Sequence, residues 1–237
     1  MLLTIIWLPQ VAGITRGLIY MHDQGVIHGN LNGVCFRTRS LRSARCLPGP
    51  KTNILIDSAG SPRLTGFSRL VVVSDEPTAT PPIMAHLGAI RWTSPELFDP
   101  ERFELKECRP TKESDCYALG MVVYEVLSGL TPYAMYNRFL VAQKILSGER
   151  PGRPEGAQGA WFTTDLWEML QRCWRTQPGD RPSLSAVLQC LQETTGPSRP
   201  PSDVDGDVDD QVHAAAGNSS IFSPFHTRLI FVHLPNM

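Results

Sequence analysis

The sequence predicts a mainly α fold, a helical bundle carrying small β-hairpins, and three observations predict it. Segments 11–24, 114–133, 163–175 and 183–192 are apolar at helical spacing or apolar throughout, between residues that start or stop helices. Two short runs, Asn53–Ile56 and Arg63–Leu64, flank the turn sequence SAGSP and read as a hairpin. The 237 residues, 42% hydrophobic and 19% charged, suffice for one domain with a sizeable core.

Taken in order, MLLTIIWLP is apolar but too short to span a bilayer, lacks a basic leader and stops at Pro9. Residues 1–10 are therefore expected to be a truncated lead-in. Val11, Ile14, Leu18 and Met21 give the next stretch a helical rhythm, which Gly25 should end. Val26 and Ile27 form a short buried strand delivering His28. Residues 35–52 (CFRTRSLRSARCLPGPKT) hold five basic residues and no acid, unlike either flank. They read as a basic recognition loop, a disordered excursion or an unremoved intron. Lengthening a loop from about five to about 23 residues costs only about 1.3 kcal/mol in closure entropy, so the fold survives it; what should suffer is the fixed geometry between the loop ends.

Further on, Ser114–Tyr133 is a strongly apolar helix with Ser114 as its expected N-cap, Gly129 as its cap and Pro132 as its stop. Phe139–Leu146 is a shorter helix. Leu166, Met169, Leu170 and Cys173 share one face of the next, and Ser183–Gln192 is the last. From residue 195 the chain turns to Pro, Ser, Gly and acid, a composition expected to be a disordered tail over 195–237. Within it DVDGDVDD lacks the terminal Glu and flanking helices of a calcium loop.

A net charge of -1 gives no reason to expect nucleic acid or an anionic membrane as partner. Six cysteines without CxxC or zinc spacing read as reduced thiols, which places the chain in the cytoplasm.

Four motifs carry a family resemblance. The loop HGN (His28–Asn30) and NILID (Asn53–Asp57) regain a five-residue separation of Asn30 from Asn53 once the eighteen-residue insert is removed. RWTSPEL (Arg91–Leu97), SDCYALG (Ser114–Gly120) and CWRTQPGDRP (Cys173–Pro182) follow. Together they resemble a protein kinase, whose catalytic loop reads H-R-D-L-x-x-x-N and whose activation segment closes in A-P-E. The Trp92 closure is most similar to the tyrosine-kinase-like group. The resemblance covers about residues 11–194 and implies the C-terminal lobe of the kinase fold, with the N-terminal lobe missing.

By the same resemblance His28 packs and anchors the loop, and Asn30 stands where the catalytic Asp belongs. Asn32 replaces the Lys that commonly follows. Asn53 matches the metal-binding Asn, and Thr65-Gly66-Phe67-Ser68 lies where D-F-G is expected, with Gly66 at the metal-binding Asp. Residues 69–93, with Ser74, Thr78 and Thr80, match an activation segment. Asp115 would accept hydrogen bonds from the loop backbone, Gly120 would permit close packing, and Arg181 would form a buried ion pair with Glu96.

Phosphoryl transfer needs positioned phosphates, a metal held by carboxylate and a base. An amide at Asn30 takes no proton, and a positioned base is worth roughly 10²–10⁴ in rate. The four lysines, Lys51, Lys106, Lys112 and Lys144, all follow the loop's first half, and no GxGxxG occurs. The expectation is a catalytically inactive, pseudokinase-like domain that binds a protein partner. ATP and Mg²⁺ are expected from the family but without productive binding. The alternatives are an active kinase represented by a partial gene model and a non-functional decaying duplicate.

Overall fold

A computed structural model describes residues 2–36, 52–57, 59–73, 89–159 and 161–195. Most of the insert, the segment with Ser74, Thr78 and Thr80, and the expected tail lie outside the described residues.

Among the described residues six α-helices carry the fold: α1 (Leu2–Asp23), α2 (Lys112–Ser128), α3 (Arg138–Leu146), α4 (Gly156–Gly159), α5 (Thr164–Cys173) and α6 (Leu184–Thr195). Short strands accompany them among the same residues: β1 (Val26–Ile27), β2 (Val34–Phe36), β3 (Ile54–Ile56), β4 (Pro62–Leu64) and β5 (Val71–Val72). The mainly helical expectation with small sheets is met.

α1 starts earlier than the helical rhythm from Val11 predicts, taking in residues 2–10. The helix is continuous from Leu2 and runs through Pro9, whose ring is exposed and whose missing N–H removes one ladder bond. Leu8, Val11, Ile14 and Leu18 face inward, so burial along this stripe outweighs the break. α1 packs against α2 and α6.

Helix α2 is the centre of the core. Every residue from Ser114 to Tyr124 is buried, the pattern of a helix enclosed on all sides. Its N-cap is Thr111, not the expected Ser114. Thr111 accepts from the Ser114 N–H, and the Ser114 hydroxyl accepts from the Thr111 N–H, a reciprocal box with Ser at the third position. Gly129 ends the helix at φ 70°, a left-handed cap that suits glycine. Around α2 stack Tyr124, Phe162, Trp167 and Trp174, with ring centroids 5.7 to 6.0 Å apart.

The expected hairpin is present, with β3 antiparallel to β4 in register Ile54 to Leu64. The insert does not leave this sheet at once. Cys35 and Phe36 belong to β2, which pairs parallel with β3, Val34 opposite Ile54 and Phe36 opposite Ile56. A parallel pair needs a crossover of a dozen residues or more, and residues 37–51 have that length. Among the described residues no helix is long and apolar enough to cross a membrane.

Candidate functional site

The site is built around Asp115, one turn into α2, where the free N–H groups of the helix start favour a carboxylate. Its Oδ2 accepts the His28 N–H at 2.9 Å and its Oδ1 accepts the Gly29 N–H at 2.9 Å. His22, in the last turn of α1, closes on the same Oδ2 at 2.9 Å. One carboxylate thus ties the start of the loop to two helices. His22 escaped the sequence reading because its partner is 93 residues away.

His28 is fully buried. Its Nε2 lies 3.0 Å from the Thr65 carbonyl, which can only accept, so Nε2 carries the proton. Nδ1 is then free to accept the Asn30 N–H at 3.2 Å. Burial pulls the ring below the usual histidine range, though Asp115 and the Thr65 carbonyl push the other way. Both nitrogens are spent, so His28 holds the loop and has no proton to move. Phe67 packs on it with centroids 5.5 Å apart.

Three asparagines converge beyond His28. The Asn30 carbonyl accepts from the Asn53 amide at 2.6 Å and from the Asn32 amide at 3.0 Å. The Asn30 side chain donates to the Gly66 carbonyl at 3.3 Å, and its oxygen accepts from Asn32 at 3.3 Å. The Asn53 N–H meets the Asn32 carbonyl at 3.1 Å. The expected loss of loop geometry across the insert is therefore corrected: the two ends are joined by β2–β3 pairing and by Asn53. Gly66 sits at φ +75°, and a Cβ placed on it would fall inside the Asn53 side-chain amide.

The donor set at this point is three neutral amides and a carbonyl. Mg²⁺ favours carboxylate and phosphate oxygens, and among the described residues no group of three His, Cys, Asp or Glu side chains converges. Asn53 and Gly66 do not fit a Mg²⁺ site as they stand. A small pocket of ≈ 20 Å³ opens beside Asn30, lined also by Arg69, Ser94 and Asp115.

Behind the loop the supporting residues lie together. Arg181 Nη1 and Nη2 donate to the two Glu96 oxygens at 2.7 Å each, both side chains buried. The guanidinium also donates to the carbonyls of Arg175, Glu113 and Thr176 and lies over the Tyr117 ring at 5.2 Å. Gly120 lets Trp174 approach, since a Cβ there would lie 2.6 Å from the indole nitrogen. Arg91 clamps the turn after α2, donating to the carbonyls of Pro132, Tyr133 and Tyr136. That clamp was invisible in sequence, because its acceptors are backbone.

A sequence profile described as protein tyrosine and serine/threonine kinase matches residues 51–191, more than half of the chain. The chain belongs to the protein kinase family. The matched span takes in Asn53, Gly66, Glu96, Asp115, Gly120 and Arg181. A probable serine/threonine-protein kinase of Dictyostelium discoideum is 29% identical over 185 residues, covering 76% of this chain and 11% of that protein. A serine/threonine/tyrosine-protein kinase of Arabidopsis thaliana is 28% identical over 184 residues, 76% of this chain and 38% of its own length. A tyrosine-protein kinase of Homo sapiens is 25% identical over 229 residues, 95% of this chain and 16% of its own. This kinase-family chain thus spans 11 to 38% of the length of these three relatives.

Proposed function

We propose that this protein kinase domain is catalytically silent and acts by binding another protein. The observation that carries the reading is the placement of Asn53. Its amide occupies the space of any side chain at Gly66, the position the resemblance gives to the metal-binding carboxylate. Asn30 supplies an amide where a base is needed, and His28 has no free nitrogen to replace it. By contrast the Glu96–Arg181 pair, the Asp115 hub and the Gly120 contact keep the scaffold intact. The Trp92 closure favours the tyrosine-kinase-like group. Free thiols at Cys108, Cys116, Cys173 and Cys190 favour a cytoplasmic setting for this reading.

The experiment is Mg-ATP binding and phosphate transfer with the purified natural full-length product. No turnover is expected. Robust turnover that Asn53→Ala abolishes would sink the proposal.

A further inference from the structure

Away from the loop, a cavity of ≈ 310 Å³ opens where the C-terminal end of α1 meets the N-terminal ends of α2 and α6. Two contacts hold those helix starts side by side. Arg181 donates to the Glu113 carbonyl at 3.0 Å, and Cys116 Sγ lies 3.2 Å from the Pro182 carbonyl. The first N–H groups of a helix have no acceptor within it. Caps take one on each helix here, Thr111 accepting from Ser114 and Ser183 accepting from Ala186. The N–H groups of Lys112 and Glu113 on α2, and of Leu184 and Ser185 on α6, have no acceptor among the described residues, and all four residues line the cavity.

A buried side chain faces the same space. His22 is only 7% exposed and lines the cavity. Its Nε2 lies 2.9 Å from Asp115 Oδ2, an oxygen that also accepts the His28 N–H, so Nε2 carries the proton. In the neutral ring Nδ1 is then an acceptor. It has no partner among the described residues and is not sealed off by protein, so it opens into the cavity.

These groups set the chemistry of a ligand. The two helix starts together present about one positive charge, roughly half a charge each. Of the charged side chains around the cavity, Asp23 and Glu113 are negative, Lys112 is positive, and Arg181 is already paired with Glu96. That balance suits a singly charged carboxylate better than a doubly charged phosphate. Nδ1 calls for a hydroxyl or amino hydrogen on the same molecule. Ile19, Cys116, Pro182 and Leu184 offer apolar wall to its body. The volume lies at the small end of ligand pockets, which run from roughly 300 to 1,000 Å³.

We infer that the cavity between α1, α2 and α6 binds a compact organic carboxylate that also carries a hydroxyl or amino group. The carboxylate sits on the unused N–H groups of the two helix starts, and the hydroxyl or amino hydrogen goes to His22 Nδ1. The inference goes beyond the silent-domain reading and holds whether or not the domain transfers phosphate.

The test titrates the full chain at pH 7 with 3-hydroxybenzoate and 4-hydroxybenzoate, against benzoate, which lacks the donor, and phenol, which lacks the carboxylate. Calorimetry gives the affinities, and amide and imidazole resonances locate the site. At least one hydroxybenzoate is expected to bind with a Kd of about 1 mM or tighter, a modest demand for a ligand of about ten non-hydrogen atoms. It should bind about fivefold tighter than benzoate, as one added hydrogen bond allows, and tighter than phenol. The resonances that move should be the amides of Lys112, Glu113, Leu184 and Ser185 and the His22 ring. Ser185→Asp places a competing carboxylate at the exposed start of α6. It should abolish binding while leaving the melting temperature unchanged or higher, because an acid in the first turn favours a helix. No binding by either hydroxybenzoate, equal binding of benzoate or phenol, shifts confined to other residues, or binding that survives Ser185→Asp each overturns the inference. Phosphate transfer on the same preparation bears only on the silent-domain proposal, so the two readings fail separately.

Discussion

Asn53 and Gly66 exclude each other's side chains. The Asn53 amide bonds the Asn30 carbonyl at 2.6 Å and in doing so fills the Cβ space of Gly66, whose φ of +75° already favours glycine. The loss at position 66 and the orientation of Asn53 are thus one packing solution, and reversing one without the other is expected to fail.

Gly66→Asp should accordingly destabilise the domain and yield no gain in Mg-ATP affinity. The left-handed backbone alone costs a side-chain-bearing residue about 1–2 kcal/mol, before the collision with Asn53. Adding Asn53→Ala should recover part of the loss in a thermal melt. A Gly66→Asp variant as stable as the parent, with tight Mg²⁺ binding, would contradict this geometry.

Removing one partner of the Glu96–Arg181 pair should be far worse than removing both. The pair is bidentate at 2.7 Å with both side chains buried, so Arg181→Met strands a carboxylate at a cost of about 3–5 kcal/mol. Urea melts of Arg181→Met against Glu96→Leu/Arg181→Met should show the double variant recovering part of that loss. The recovery is limited, because Arg181 also satisfies three backbone carbonyls.

Gly120→Ala tests which of two opposed effects wins. Alanine in place of a helix-interior glycine normally gains about 0.5–1 kcal/mol. Here the new methyl would meet the Trp174 indole nitrogen at 2.6 Å and the Cys173 Cβ at 2.9 Å. Trp174 is itself buried among Tyr124 and Trp167, so it has little room to yield. Overpacking costs about 1–3 kcal/mol, and the variant should melt lower than the parent.

Glu125 gives the fold a pH dependence of definite sign. Burial raises its carboxyl from about 4.5 to about 7. The unfolded chain therefore releases this proton first, and stability falls as pH rises from 4.5 through 7, then levels off. The full loss is about 3 kcal/mol, from 1.36 kcal/mol per unit. Glu125→Gln should flatten that slope, leaving denaturant midpoints at pH 5 little changed and raising them at pH 8. A variant that keeps the parent's slope would assign the dependence to another group.

Much of the scaffold was legible in the chain itself. The apolar spacing of Val11, Ile14 and Leu18, the glycine stops at Gly25 and Gly129, and the SAGSP hairpin are local signals, and local signals survive in sequence. The Glu96–Arg181 partnership was readable only through family resemblance, since 85 residues separate its members. Two local expectations failed for physical reasons. Pro9 did not end α1, because the inward stripe on either side of it holds the helix in the core. Ser114 was not the cap, because Thr111 three residues earlier forms the reciprocal box with it.

What the sequence determined by itself is most of the helices, the glycine stops at Gly25 and Gly129, and the chemical identity of each residue at the loop, including an amide at Asn30 and no side chain at Gly66 where the resemblance places carboxylates. Tertiary structure alone decided how the loop's amides are used. Asn30, Asn32, Asn53 and Gly66 are up to 36 residues apart, and only the docking of β3–β4 and the loop onto α1 and α2 brings them within hydrogen-bond reach. Short-range preference sets elements, whereas the steric exclusion between Asn53 and position 66 exists only after those elements pack.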